Sequence, residues 1–222
     1  GNPLDPERGR RRLLLLGEGY TRLLGEQKAS EVEEKALFKR VTQRIPHLLT
    51  SMMQDRVQSA RNRLEAGLLL CDLNIDPPGI DSFIEIPGLK VQIGKYPVTN
   101  QQFKRFVDDG GYDHKEWWSE KGWGYRLQDP PWTEPRYWND DRFNHSNQPV
   151  VGVSWYEAEA YCHWLSAQLS MEVRLPTQAE WLAAAHASQQ EYPWGNGFDL
   201  TRANTEESNL QKTTPDYKNK DG

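Results

Sequence analysis

The run Asp76-Pro77-Pro78-Gly79 fixes more about this chain than any other stretch of it. Proline has no amide hydrogen to donate and keeps the residue before it out of the α conformation, so neither a helix nor a central strand continues through it. The sequence on either side differs in kind. Leucine is concentrated ahead of the break, as in Leu13 to Leu16, whereas all nine tryptophans fall behind it, from Trp117 to Trp194. A chain of 222 residues exceeds the roughly 100–150 of one typical domain, and this asymmetry predicts two modules. The first, 1–80, reads as all helical; the second, 81–222, reads as mixed α+β.

In the first module, Asp5-Pro6 forms an N-cap and first-turn pair, and Leu13, Leu16, Leu23 and Leu24 recur near helical spacing. A second helix is expected from about Ser30 to Arg44 and is stopped by Pro46. A third is expected from about His47 to Leu73, with Leu48, Leu49, Met52, Val57, Leu64 and Leu68 on its apolar side.

Behind the break the pattern shortens. Phe83 to Ile86 and Leu89 to Ile93 read as strands. Three helix starts share one device: Thr99-x-x-Gln102, Ser154-x-x-Glu157 and Thr177-x-x-Glu180 are capping boxes. Each is followed by apolar residues on one helical face, such as Phe103, Phe106 and Val107. Residues 110–149 show little periodicity and many aromatics, which predicts an ordered surface loop. Trp117, Trp118, Trp123, Trp132 and Trp138 are expected to be divided between anchors and an exposed ligand-binding surface. Asn196-Gly197 has hairpin-turn chemistry.

A net charge of −5 gives no general attraction to nucleic acid or anionic membrane. The four-leucine run is far short of a membrane span and has no cleavage site behind it, and the two cysteines, Cys71 and Cys162, form no disulfide framework. These features predict a cytoplasmic protein with two buried thiols. The five histidines make no i, i+4 pair and no His-Glu-x-x-His pattern, and neither a phosphate loop nor a nucleophile elbow is present.

Five blocks occur in order: Lys95-Tyr96-Pro97-Val98-Thr99-Asn100-x-x-Phe103, Gln148 through Trp155, Ala160-Tyr161-Cys162-x-Trp164-Leu165, Val173 through Trp181, and Tyr192-Pro193-Trp194-Gly195-Asn196. Together they resemble the formylglycine-generating enzyme, or sulfatase-modifying factor, family. The resemblance implies a C-type-lectin-like fold, incomplete at its C-terminus. It also implies a structural calcium at Asn204, Thr205 and Asp221, whose oxygens suit a hard cation. Family members that oxidise a sulfatase cysteine to formylglycine use a cysteine pair near the C-terminus to hold copper. No such pair occurs here, the later Asn-Val-Trp-Glu-Trp-like and Arg-Gly-Gly-Ser-like blocks are missing, and the span from Ile86 to Lys95 is shorter than in catalytic members.

The resemblance leaves two functional expectations. The first is a non-catalytic recognition module of a prokaryotic protein, akin to the variable proteins of diversity-generating retroelements or to a sensor domain, binding a protein or small ligand. The run Arg61-x-Arg63-x-x-Ala66-Gly67-x-x-Leu70, similar to helical repeats found before such domains, favours it. The alternative is a copper-dependent formylglycine-generating oxidase whose catalytic cysteines lie beyond Gly222. On either, a C-terminal portion or a second chain is expected to complete the fold.

Overall fold

The structure, a computed structural model, describes residues 44–185, 190–200, 202, 203 and 205. The first expected helix, from Asp5, and all but the last residue of the second, expected from Ser30 to Arg44, lie outside these residues. Contacts divide the chain into two compact units, Gly1–Pro78 and Gly79–Gly222.

In the first unit, helix α1 covers residues 44–54 and α2 covers Ala60–Asp72. Ile45, Leu49 and Met52 of α1, spaced i, i+4, i+7, bury against Ala66, Leu69 and Leu70 of α2, with Met53, Leu73 and Ile75 packed around them. The single helix expected from His47 to Leu73 is thus two. The Asp55 carboxylate accepts from the Val57 amide at 2.9 Å and from Gln58 Nε2 at 3.0 Å, and Ser59 Oγ then accepts from the Asn62 amide at 3.2 Å to start α2. Short polar side chains offering the backbone a local alternative are what break a helix in this way. Val57, expected on the apolar face, falls in that turn and is 79% exposed. Pro46, expected to stop a helix, lies among helical residues instead. At its other end α2 closes on Asn74 in the left-handed region, with the Asn74 and Ile75 amides donating to the Cys71 and Leu70 carbonyls at 2.8 and 2.9 Å.

The second unit is mixed α+β. Strands β1 (Phe83–Glu85) and β2 (Gln92–Gly94) pair antiparallel, with Ile84 opposite Ile93. Their connection turns through Pro87 and Gly88, whose φ of 81° suits glycine, and the Leu89 amide closes onto the Ile86 carbonyl at 3.0 Å. Helices α3 (Asn100–Asp108), α4 (Glu120–Arg126), α5 (Trp155–Leu169) and α6 (Gln178–Ala185) follow, with a single 3₁₀ turn at Lys115–Trp117.

All three capping boxes form. The Thr99 amide donates to Gln102 Oε1 at 3.0 Å, the Ser154 amide to Glu157 Oε2 at 2.6 Å and the Thr177 amide to Glu180 Oε2 at 2.8 Å. Each cap hydroxyl accepts in return from the amide three residues on.

The core of this unit is aromatic. Phe103 and Phe106 of α3 meet Tyr161 and Trp164 of α5, and Tyr112 and Trp118 extend the cluster. Phe103 stacks on Tyr161 at 5.2 Å between ring centres, and Phe106 meets Trp164 edge-on at 5.9 Å. Glycine is required beside this cluster: a methyl group on Gly111 would overlap the Phe106 ring.

The start of α3 holds the return of the 110–149 loop. The Asn100 and Gln101 amides, orphans at a helix N-terminus, donate to the Gln148 and Ser146 carbonyls, both at 2.9 Å. The buried Asn100 side chain donates to the Phe143 and His145 carbonyls at 2.5 and 2.9 Å. Beside it, the Val150 amide donates to the Val98 carbonyl at 2.9 Å.

Three outcomes are expected. Asn100→Ala leaves two carbonyls without their donor and should lower unfolding free energy by about 1–3 kcal/mol in a urea titration, with faster amide exchange at Gln148 and Val150. Gly111→Ala should cost a further ~1–3 kcal/mol class of loss through overpacking, whereas Gly124→Ala, which meets nothing within 4 Å, should stabilise α4 by up to about 1 kcal/mol.

Candidate functional site

The 110–149 stretch, where a ligand surface is expected, uses its tryptophans for packing. Trp118 is buried and its indole N–H donates to the Gly111 carbonyl at 2.8 Å. Trp117, Trp123, Trp132 and Trp138 are half-buried against the aromatic core. The Arg126 guanidinium lies over the Trp123 ring at 4.8 Å, the Trp132 amide donates to the Arg126 carbonyl at 2.8 Å, and Trp138 meets Phe103 edge-on at 6.3 Å. The exposed tryptophan beside it comes from elsewhere. Trp155, 60% exposed at the start of α5, meets Tyr156 edge-on, and Tyr156 stacks on Tyr125 of α4 at 5.1 Å.

Beside that surface, polar groups tie the stretch to the helices, and Tyr112, Arg126 and Glu157 among them are buried. Glu157 caps α5 with one carboxylate oxygen and with the other accepts from the Tyr112 hydroxyl at 2.6 Å. Burial, reinforced by the Glu157 charge, pushes the Tyr112 phenol far above its ordinary pKa, so it remains a donor. Arg126 is buried and pairs with Asp113 at 3.0 Å. Asp109 accepts from the Trp164 indole at 3.1 Å, and Ser119 Oγ donates to Glu159 at 2.7 Å. His163 Nδ1 lies 2.7 Å from the Trp117 carbonyl, an oxygen that can only accept, which assigns the proton to Nδ1. The capping box makes Glu157 legible in the sequence, but its bond to Tyr112, 45 residues away, carries no local signal.

These groups hold the loop against the helices. None of them pairs a nucleophile with a free base in an open cleft. A polar concavity of about 640 Å³ is walled by Glu134, Arg136, Asp140, Asp141 and Arg142 and is open to solvent. On its wall Asp140 accepts from Arg142 at 2.9 and 2.6 Å. Among the described residues no group of three or more His, Cys, Asp or Glu side chains is placed to hold a metal ion. Of the expected calcium ligands, Asn204 and Asp221 lie outside the described residues, and Thr205 is half-buried. No described helix is long and apolar enough to cross a membrane.

Cys71 and Cys162 are free and buried, one in each unit. Burial, with a smaller contribution from Glu159, pushes the Cys162 thiol up to about 11. A thiol held protonated at neutral pH is a poor nucleophile and a poor metal ligand.

The family model for the sulfatase-modifying factor enzyme 1-like domain matches residues 80–221. Among curated relatives, a hercynine oxygenase of Mycolicibacterium thermoresistibile is 38% identical over 144 residues, covering 56% of this chain and 30% of the relative. A formylglycine-generating enzyme of Thermomonospora curvata is 32% identical over 146 residues, covering 55% and 46%. A serine/threonine-protein kinase Pkn1 of Chlamydia trachomatis is 34% identical over 131 residues, covering 54% and 18%. The chain therefore spans less than half the length of each of these relatives. They overturn the expectation of a non-catalytic recognition module of the retroelement or sensor kind, because the domain likenesses run to proteins named as an oxygenase and as a formylglycine-generating enzyme.

One exposed pair offers a pH test. Arg174 Nη2 and Nη1 donate to Glu180 Oε1 and Oε2 at 2.7 and 2.8 Å, and the Thr177 amide shares the second oxygen. The Arg174 hydrogen bonds, followed by those from Thr177, lower Glu180 from 4.5 to about 2. A lowered carboxylate contributes stability that is present above its unfolded pKa and lost as pH falls through the folded one. The α6 cap should therefore loosen between pH 4.5 and about 2. Side-chain carboxyl NMR should show Glu180 titrating near the lower value, and Arg174→Ala should move it back toward the ordinary range.

Proposed function

The chain belongs to the sulfatase-modifying factor enzyme 1-like family, and from that membership we propose that residues 80–221 are scaffold of an oxidising enzyme of the oxygenase or formylglycine-generating kind. The observation that carries this reading is the likeness to a hercynine oxygenase, which exceeds one residue in three. The family match spans all three capping boxes and the whole aromatic core. A C-type-lectin-like arrangement is the finer fold this reading implies, with the β1–β2 hairpin and the α3–α5 layer as its front portion.

Copper held by a cysteine pair is the cofactor expected of formylglycine-generating members. Cys71 and Cys162 do not fit it: they belong to separate units, both are buried, and burial keeps the Cys162 thiol protonated. On this reading the groups that perform oxidation belong to a stretch following Gly222, and no chemical step is assigned to either cysteine. The described residues contribute rigidity. Tyr112, Glu157, Arg126 and Asn100 hold a long loop in one arrangement, and a reaction centre needs that support to keep its geometry.

The test uses protein extended to the length of its relatives and loaded with copper or, separately, with other transition metals. Oxygen consumption is expected with hercynine or with a cysteine-bearing sulfatase peptide, while residues 1–222 alone consume none. Cys71→Ala and Cys162→Ala should leave turnover of the extended protein unchanged. Absence of oxygen consumption with both substrates under every metal would overturn the proposal.

A further inference from the structure

Tyr192 and Gly195 exchange both backbone hydrogen bonds, each at 3.0 Å, so the turn closes over Pro193 and Trp194. The sequence pattern places the turn at Asn196-Gly197 instead. That pair, the only Asn-Gly in the chain, is left exposed just outside the turn. Tyr192 and Trp194 stack at 5.2 Å, and the Trp194 indole donates to the Gly197 carbonyl at 3.2 Å, which fixes the backbone on the far side of the pair. On the near side, Asn196 Oδ1 accepts from the Glu191 amide at 3.0 Å. Gly197 has φ of 108°, and no atom lies within 4 Å of the place a β-carbon would take.

An asparagine side chain can be attacked by the backbone nitrogen that follows it, closing a five-membered ring. Two things normally slow this: the next residue's side chain crowds the nitrogen, and the amide carbonyl is a weak electrophile. Gly197 removes the first obstacle. The Glu191 N–H reduces the second, because it is aimed at the oxygen on which negative charge develops as the ring closes.

We propose that Asn196 is a self-modification site of the folded protein. The Gly197 nitrogen gives up its proton to solvent base and forms a bond to Asn196 Cγ. The Cγ–Nδ2 bond breaks and ammonia leaves, taking up a proton from water. Water then opens the succinimide at either carbonyl, giving aspartate or isoaspartate. No oxidant or reductant takes part. Aspartate keeps an oxygen for the Glu191 amide and adds a charge, whereas isoaspartate adds a methylene to the backbone beside the Tyr192–Trp194 stack.

The experiment incubates the whole chain at mildly alkaline pH and follows every asparagine by peptide-mapping mass spectrometry with an isoaspartate-specific readout. Asn196 should convert faster than the exposed Asn139 and Asn144, and faster in the folded chain than in the same chain unfolded in urea. Glu191→Pro, which deletes the N–H donor, should slow the folded-state rate by about tenfold, the effect of one lost hydrogen bond to developing charge. Because that variant can disturb the turn, the folded-against-unfolded comparison on the unaltered chain decides independently. Conversion at Asn196 no faster than at Asn139 and Asn144, or slower in the folded chain than in the unfolded one, overturns the proposal.

Discussion

The second unit depends on how the start of α3 is satisfied. A helix N-terminus presents amides that have no partner within the helix. Here the Asn100 and Gln101 amides are met by the Gln148 and Ser146 carbonyls, which the chain reaches only at the end of the 110–149 stretch. The Asn100 side chain adds two more bonds to the same returning segment. One residue thereby couples a local requirement, the cap, to a long-range one, the path of the loop. Ordering each residue of that loop costs on the order of 1–2 kcal/mol of backbone entropy, and these bonds alone cannot offset it. The aromatic rings that enter the core along the way contribute the larger share, about 1.5–3 kcal/mol for each ring buried. The hydrogen bonds decide where the loop goes, and the rings decide that it stays.

That division explains which features were legible in the sequence. Capping boxes are local, because both partners lie within four residues, and all three were readable at Thr99, Ser154 and Thr177. The two strands were readable near their places, but the second begins at Gln92 rather than Leu89, because Leu89 closes the turn onto the Ile86 carbonyl. Where two local signals competed, the reading failed: the leucine spacing between His47 and Leu73 continues across Asp55 to Ser59, yet the short polar side chains there capture the backbone first. How the tryptophans divide between anchors and surface was not legible for a different reason. A loop rich in indoles looks the same whether the rings face a ligand or a core, and only the positions of Phe103, Phe106 and Tyr161 decide between them. Buried pairs such as Tyr112 with Glu157 have no sequence signature, since their spacing follows from the path of the loop. The expectation of a non-catalytic module failed one level higher. It was drawn from a helical-repeat likeness over Arg61 to Leu70 and from the absence of recognisable chemistry in a chain that spans less than half of its relatives.

A scaffold and its chemistry are separable. The domain matched here occurs in relatives named as an oxygenase, as a formylglycine-generating enzyme and as a protein kinase. What the described residues supply is a set of capped helix starts, a ring-lined core and buried polar pairs such as Glu157 with Tyr112. Buried polar groups satisfied in this way favour one arrangement over its neighbours.

Helices α5 and α6 show how unevenly order is supported within the unit. Each begins with a capping box, but α5 buries Glu157, Ala160, Tyr161, Cys162 and Trp164, whereas α6 buries none of its residues. Trp181 is 57% exposed and Leu182 is 40% exposed. The sequence of α6, Gln-Ala-Glu-Trp-Leu-Ala-Ala-Ala, is a good helix former, yet an isolated helix this short is marginal in water. Among the described residues its visible restraint is polar: the Arg174 fork on Glu180 and the Thr177 cap. Such exposed ion pairs are weak and screened by salt. Local opening should therefore begin at α6 and leave the α3–α5 layer intact, because the first is held by charge at the surface and the second by rings that no ion can screen.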